Sequence, residues 1–130
     1  MKGETNLAIL LKSMQPTLLD GEFVFITLPT GKYGDAAKLN PIAMCMEPEG
    51  MTLVIPKALA DQHQHCYDSV FKSITLMVHS SLDAVGLTAT FATRLAEKQI
   101  SANVIAGFYH DHIFVQVHKA QAAMAALSQC

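Results

Sequence analysis

The chain has 130 residues, half of them hydrophobic, with nine Lys and Arg against eleven Asp and Glu. That length suits one ordinary domain or two very small ones sharing a core. The sparse, balanced charge excludes the basic stripe on which a nucleic-acid binder depends, and no apolar run approaches the roughly 20 residues of a bilayer span.

The N-terminal residues Met1-Lys2-Gly3-Glu4-Thr5-Asn6 lack the charged-then-apolar order of a signal peptide. Cys45, Cys66 and Cys130 are odd in number and form no CxxC pair, which predicts reduced thiols in a cytoplasmic protein. Low charge beside much apolar material points to a surface covered by another subunit.

Leu7, Leu10, Leu11 and Met14 make a helical stripe that Pro16 ends. After the Asp20-Gly21 turn, Glu22 to Leu28 is rich in β-formers and predicts a strand. Residues 29–41, with two prolines and two glycines, predict a loop. Ile42 to Met46 and Met51 to Ile55 predict a hairpin around Glu47-Pro48-Glu49-Gly50, followed by a short helix from Pro56 to about Gln62. The polar run Asp61 to Asp68 marks a boundary, giving units at residues 1–66 and 67–130.

In the second half Ile74, Leu76 and Val78 alternate with Thr75, Met77 and His79, as in a strand. A turn over residues 80–86 leads into a helix with Leu87, Phe91 and Leu95 on one face. Ile100, Ala102, Val104 and Ala106 alternate again, as do Ile113, Val115 and Val117, and Ala120, Ala123, Met124 and Leu127 close with a helical stripe. The order β-α-β-β-α lacks only a last strand to complete the ferredoxin-like split βαβ arrangement. A shift of about 62 positions lays Leu53-Val54-Ile55-Pro56-Lys57-Ala58 on Val115-Gln116-Val117-His118-Lys119-Ala120. Each half therefore holds a hairpin running into a helix, and the first is a degenerate or rearranged copy.

Three groups of residues could carry chemistry. On a continuous strand His110 and His112, flanking Asp111, would face one side and could ligate zinc or iron. No HExxH or CxxC spacing supports a metal, and the plainer reading is a hairpin connection whose polar side chains cap the strand ends. His63, His65 and Cys66 read as solvated linker residues, and no pattern pairs a cysteine thiol with a histidine base for nucleophilic catalysis. The segment Ser80 to Gly86 joins a strand to a helix N-terminus, where unpaired N–H groups favour an anion such as a carboxylate. Gly86 would admit a ligand close to the backbone, and Asp83 could cap the helix or meet an ammonium group. Gly107, on an edge strand, allows the same close approach, with Phe108 and Tyr109 walling the space.

Two long blocks, Thr75-Leu76-Met77-Val78-His79-Ser80-Ser81-Leu82-Asp83-Ala84-Val85-Gly86-Leu87-Thr88 and Ala106-Gly107-Phe108-Tyr109-His110-Asp111-His112-Ile113-Phe114-Val115, resemble the ACT domain, and most closely small bacterial tandem ACT-like proteins. The resemblance spans Phe71 to Leu127 and continues more loosely through residues 10–16 and 22–25. It implies an α+β, βαββαβ ferredoxin-like fold in two tandem units, the N-terminal one degenerate or rearranged. It also implies a non-enzymatic regulatory or sensor protein, a homo-oligomer such as a dimer, that binds a free amino acid without a cofactor or metal. The site would be formed by Asp83, Ala84, Val85, Gly86 and Leu87 on one side and Ala106, Gly107 and Phe108 on the other. The ligand carboxylate would sit on amides from Val85 to Thr88, and its ammonium on Asp83 or the carbonyls of Ala106 and Gly107. The first half lacks the helix-preceding glycine loop, so no equivalent second site is implied there. The alternatives are a ligand-free dimerisation module and a metal-dependent enzyme using His110, Asp111 and His112.

Overall fold

The computed structural model describes residues 14–77 and 86–128. In chain order they form β1 (Pro16–Leu18), β2 (Phe23–Leu28), β3 (Ala43–Glu47), β4 (Gly50–Pro56), α1 (Lys57–Gln62), β5 (Phe71–Leu76), α2 (Leu87–Glu97), β6 (Asn103–Ala106), β7 (Asp111–Gln116) and α3 (Ala120–Leu127), with 3-10 turns at Ala37–Leu39 and Val117–Lys119. The predicted stripe at Leu7, Leu10 and Leu11 lies outside the described residues.

The chain divides into a central unit, residues 20–71, and a discontinuous unit built from residues 1–19 and 72–130. This differs from the expected split at 66/67. The division falls inside β5, and the first residues of the chain group with its second half.

In the central unit β4 lies between β2 and β3, both antiparallel to it. The predicted hairpin closes through Pro48 and Glu49, with Glu47 opposite Gly50. Val24, Ile26, Met51, Leu53 and Ile55 alternate onto one face and bury against Ala36, Leu39 and Ala60. The first long helix of a βαββαβ unit is replaced by the Ala37–Leu39 turn, because Pro29, Gly31, Gly34 and Pro41 leave no uninterrupted helical stretch. Leu39 and Ala36 plug part of the exposed sheet face. What they leave is a cleft of about 350 Å³ bounded by Tyr33, Asn40, Pro41, Met44, Met51 and Leu53.

In the discontinuous unit β5 lies between β1 and β7, and β6 pairs with the far side of β7. The strand missing from the second half is thus supplied from upstream. β1 takes the place beside β5 that the last strand of a split βαβ unit occupies. The Leu19 N–H donates to the Ser73 carbonyl and the Met77 N–H to the Gln15 carbonyl, so the ladder bonds fall on odd-numbered β1 residues. Pro16, opposite Leu76, falls between them, where a missing N–H costs nothing.

Ile74, Leu76, Ile113 and Val115 form the sheet side of the core, and Leu87, Phe91, Leu95, Ala120, Ala123 and Leu127 the helix side. The i, i+4, i+8 spacing on α2 was the signal for this face, and all three of its residues are at most 3% exposed. α2 ends with the Ile100 N–H on the Leu95 carbonyl and the Gln99 N–H on the Ala96 carbonyl, a Schellman closure. Gln99 holds the left-handed position of that motif, at φ 59°. The two halves correspond in the backbone at a spacing of 60, two positions short of the sequence alignment: Pro56 and Gln116, each preceding a helical segment, share φ of −58°.

Candidate functional site

Candidate residues of the β6–β7 hairpin lie at one end of the discontinuous unit's sheet. Ala106, the last residue of β6, stands opposite Asp111, the first of β7. Thr75, near the end of β5, meets His112 through its hydroxyl, 3.0 Å from Nδ1. The end of β5, the start of β7 and the β6–β7 hairpin therefore share this end, and α2 follows β5 from Gly86.

Gly86 is the N-cap of α2 and takes φ of 96°, a left-handed conformation that glycine adopts without strain. Its carbonyl accepts both the N–H and the hydroxyl of Thr90, at 2.9 and 2.8 Å. Among the described residues no side-chain bond caps this end. The amides of the first turn cannot bond within the helix and carry its positive dipole end. Leu87 is buried in the core, so it can offer a ligand only its backbone. Asp83, Ala84 and Val85 lie outside the described residues.

Gly107 is required for a different reason. Its N–H donates to the His110 carbonyl at 2.9 Å, and a Cβ at this position would stand 2.8 Å from that same oxygen. Bonded pairing of Gly107 with His110 sets the alternation along β6: Ile105 and Asn103 turn their amides toward β7, while Ala106 and Val104 turn theirs outward from the edge. Phe108 and Tyr109 form the tip, edge to face at 5.0 Å and both more than half exposed.

The turn thus sits on Phe108-Tyr109, upstream of the polar connection expected at His110-Asp111-His112. The reason is the Gly107–His110 bond, which closes the ladder before the histidines are reached, so Asp111 and His112 belong to β7. Successive strand residues face opposite ways. Asp111 joins Ile113 and Val115 on the helix side and is 7% exposed, whereas His112 faces the side of Thr75. The three side chains do not converge as metal ligands would. Among the described residues no group of three His, Cys, Asp or Glu is placed to hold a metal ion. His63, His65 and Cys66 follow α1, where Asp61 is bonded instead by Lys57 and Tyr67.

Burial raises the Asp111 carboxyl above the ordinary carboxylate range, against the opposing pull of His112 and His110. Burial, with help from His110, holds the His112 imidazole below its ordinary value, while Asp111 pulls it upward. Sequence reasoning missed the Thr75–His112 pair and the inward Asp111. Alternation continued back from Ile113 would have placed Asp111 on the core face.

With this geometry in view, the chain matches the ACT-domain family twice, over residues 2–72 and 70–129. The chain belongs to that family, as a tandem pair of ACT domains. It is 54% identical to a Vibrio cholerae protein of unknown function described as a possible transport protein, with a TM-score of 0.86, covering 95% of this chain and 94% of that one. A protein from Agrobacterium tumefaciens shares the fold at 14% identity and a TM-score of 0.73, over 89% of this chain and 87% of that one. The regulatory subunit of aspartate kinase from Thermus thermophilus does so at 14% identity and 0.61, over 90% and 97%. No curated protein matches the sequence. Among the described residues no helix is long and apolar enough to cross a membrane.

Proposed function

We infer that this is a non-catalytic, cytoplasmic regulatory protein that senses a free amino acid and works as a homo-oligomer. Two backbone surfaces of the discontinuous unit support the reading. The first turn of α2 at Gly86 suits a carboxylate, and the outward amide and carbonyl of Ala106 beside Gly107 suit the polar groups of an amino acid. Each carries a glycine with its own reason: a left-handed φ at Gly86, and at Gly107 a carbonyl too near to admit a Cβ. Asp83, Ala84, Val85 and Leu87 would complete the α2 side, with Asp83 or the carbonyls of Ala106 and Gly107 taking the ammonium, and Phe108 forming a wall.

The regulatory-subunit neighbours support the class of function, since aspartate kinase regulatory parts share this tandem fold. The test is thermal denaturation in the presence of each of the twenty amino acids. A ligand that binds only the folded state raises the melting temperature by mass action, about 2.7 kcal/mol at a concentration 100-fold above Kd. The expected result is a saturable rise with one amino acid or a small related group. No rise with any of them would refute the reading.

A further inference from the structure

The cleft of the central unit lies between residues 33–41 and the sheet, where a helix would otherwise pack. Its floor is Met51 and Leu53 of β4, at most 2% exposed, with Ala36, Ala37 and Pro41 on one side and Met44 on the other. Tyr33 and Asn40, both exposed, stand at its rim. The covering segment is a hydrogen-bonded arch. The Asp35 carboxylate accepts from the Lys32 N–H at 2.9 Å, and the Leu39 and Asn40 amides donate to the carbonyls of Ala36 and Ala37 at 2.9 and 3.1 Å. Gly34 and Asn40 make its left-handed bends, at φ of 92° and 50°, and the buried Leu39 anchors it to the core. The cleft is therefore preformed, as ligand pockets usually are.

We propose that this cleft binds a small, uncharged aromatic compound with an amide-like polar edge. Charge is the first discriminator. The arch carries Lys32, Asp35 and Lys38, yet none of them lines the cleft, so an ion inside it would lose water without meeting an opposite charge. The walls favour a ring. Met44 and Met51 offer polarizable thioethers, which pack well against aromatic groups. Tyr33 is 83% exposed and has no ring or hydrogen-bond partner among the described residues, which leaves its face for an aromatic neighbour. The polar groups at the rim are the Asn40 carboxamide, both donor and acceptor, and the Tyr33 hydroxyl, a set that a neutral amide can match. Ligand pockets run from roughly 300 to 1,000 Å³. At about 350 Å³ this one suits one or two fused rings. It belongs to the central unit and is separate from the candidate amino-acid site, whose ligand is a zwitterion.

The chain contains no tryptophan, so the fluorescence of an added indole, excited beyond tyrosine absorption, reports on the ligand alone. The test titrates the full chain with indole-3-carboxamide and with indole-3-carboxylate, which share a ring and a shape and differ in charge. The expected result is saturable one-to-one binding of the amide, with the carboxylate weaker by roughly tenfold or more, ~1.4 kcal/mol. Ala37→Phe fills the cleft from an exposed position and is expected to abolish binding. Met44→Asp puts a charge on its wall and is expected to weaken binding at least tenfold. Met46→Asp, on the same face of β3 but outside the cleft, is expected to bind as the native chain does. Circular dichroism checks that all three variants fold. Failure of the amide to saturate overturns the proposal, and equal binding of the carboxylate overturns the uncharged class. Binding that survives both Ala37→Phe and Met44→Asp, or that Met46→Asp weakens equally, places the ligand elsewhere and overturns the site.

Discussion

At the scale of single residues, the Thr75–His112 pair and Asp111 give the site end of the sheet a pH response whose sign can be worked out. His112 titrates lower in the folded chain than its ordinary value, so its contribution to stability is complete above about pH 6.5 and is lost as pH falls through the folded value. Asp111 titrates higher when folded, so its contribution is present in acid and lost as pH rises through the folded value. Protonation of His112 should therefore lower the melting temperature as pH falls below about 6.5, with Asp111 acting in the opposite sense, and the His112 part should vanish in His112→Asn. A variant curve as steep as that of the native chain would count against this assignment. Asp111→Asn should raise the melting temperature by a few degrees at pH 7, since a neutral amide carries no penalty for burying charge. At Gly107 an added side chain meets the His110 carbonyl. Gly107→Val is expected to destabilise by about 1–3 kcal/mol in urea denaturation and to abolish any amino-acid stabilisation. Gly86→Val is expected to remove the ligand shift as well, at some cost to the helix start because of its positive φ. Normal binding by Gly86→Val would place the site elsewhere.

At the scale of elements, the long periodic segments were legible and the short ones were not. α2 and β7 announce themselves through Phe91, Leu95, Ile113 and Val115, whose spacing repeats often enough to define a face. β1 has three residues and displays no alternation, so Pro16 read only as the end of a helix. Its role emerges from a partner some sixty positions away, which no local pattern can report. The turn at Phe108-Tyr109 was hidden in the same way, because two aromatic residues carry none of the Asn-Gly chemistry that marks a tight hairpin. Of the candidate site, the glycines were legible because each meets a backbone demand, a left-handed φ at Gly86 and a close carbonyl at Gly107. The Thr75–His112 contact, across 37 positions, was not. Thr17→Pro tests the role of β1: it removes a ladder donor opposite Thr75, whereas the natural Pro16 removes none. It should lower stability by about 1–3 kcal/mol, measured by urea titration. The Schellman closure suggests the opposite change. Gln99→Gly relieves a non-glycine residue at φ 59° and should stabilise by roughly 1 kcal/mol.

At the scale of the molecule, the two units have separate hydrophobic clusters of different make-up. The discontinuous unit buries Phe91, Leu95 and Leu127 beneath two helices, while the central unit relies on strand residues, Leu39 and the short helix α1. The sequence repeat foretold the shared hairpin-to-helix passage, and the loss of a long helix from residues 29–41 followed from their prolines and glycines. It could not reveal that the second half borrows a strand from the beginning of the chain, since the repeat contains no counterpart of β1.

That borrowed strand sets an order of events during synthesis. Residues 20–71 are all made before the second half, so the central unit can close as soon as its own segment is free. Residues 1–19 must wait for β5 and its neighbours to be translated, leaving Leu18 and Met14 without their final partners until the C-terminal half arrives. Maturation of the unit that carries the candidate ligand site is thereby tied to synthesis of residues 72–128, and a nascent chain halted after β4 would hold a formed hairpin but not the candidate site.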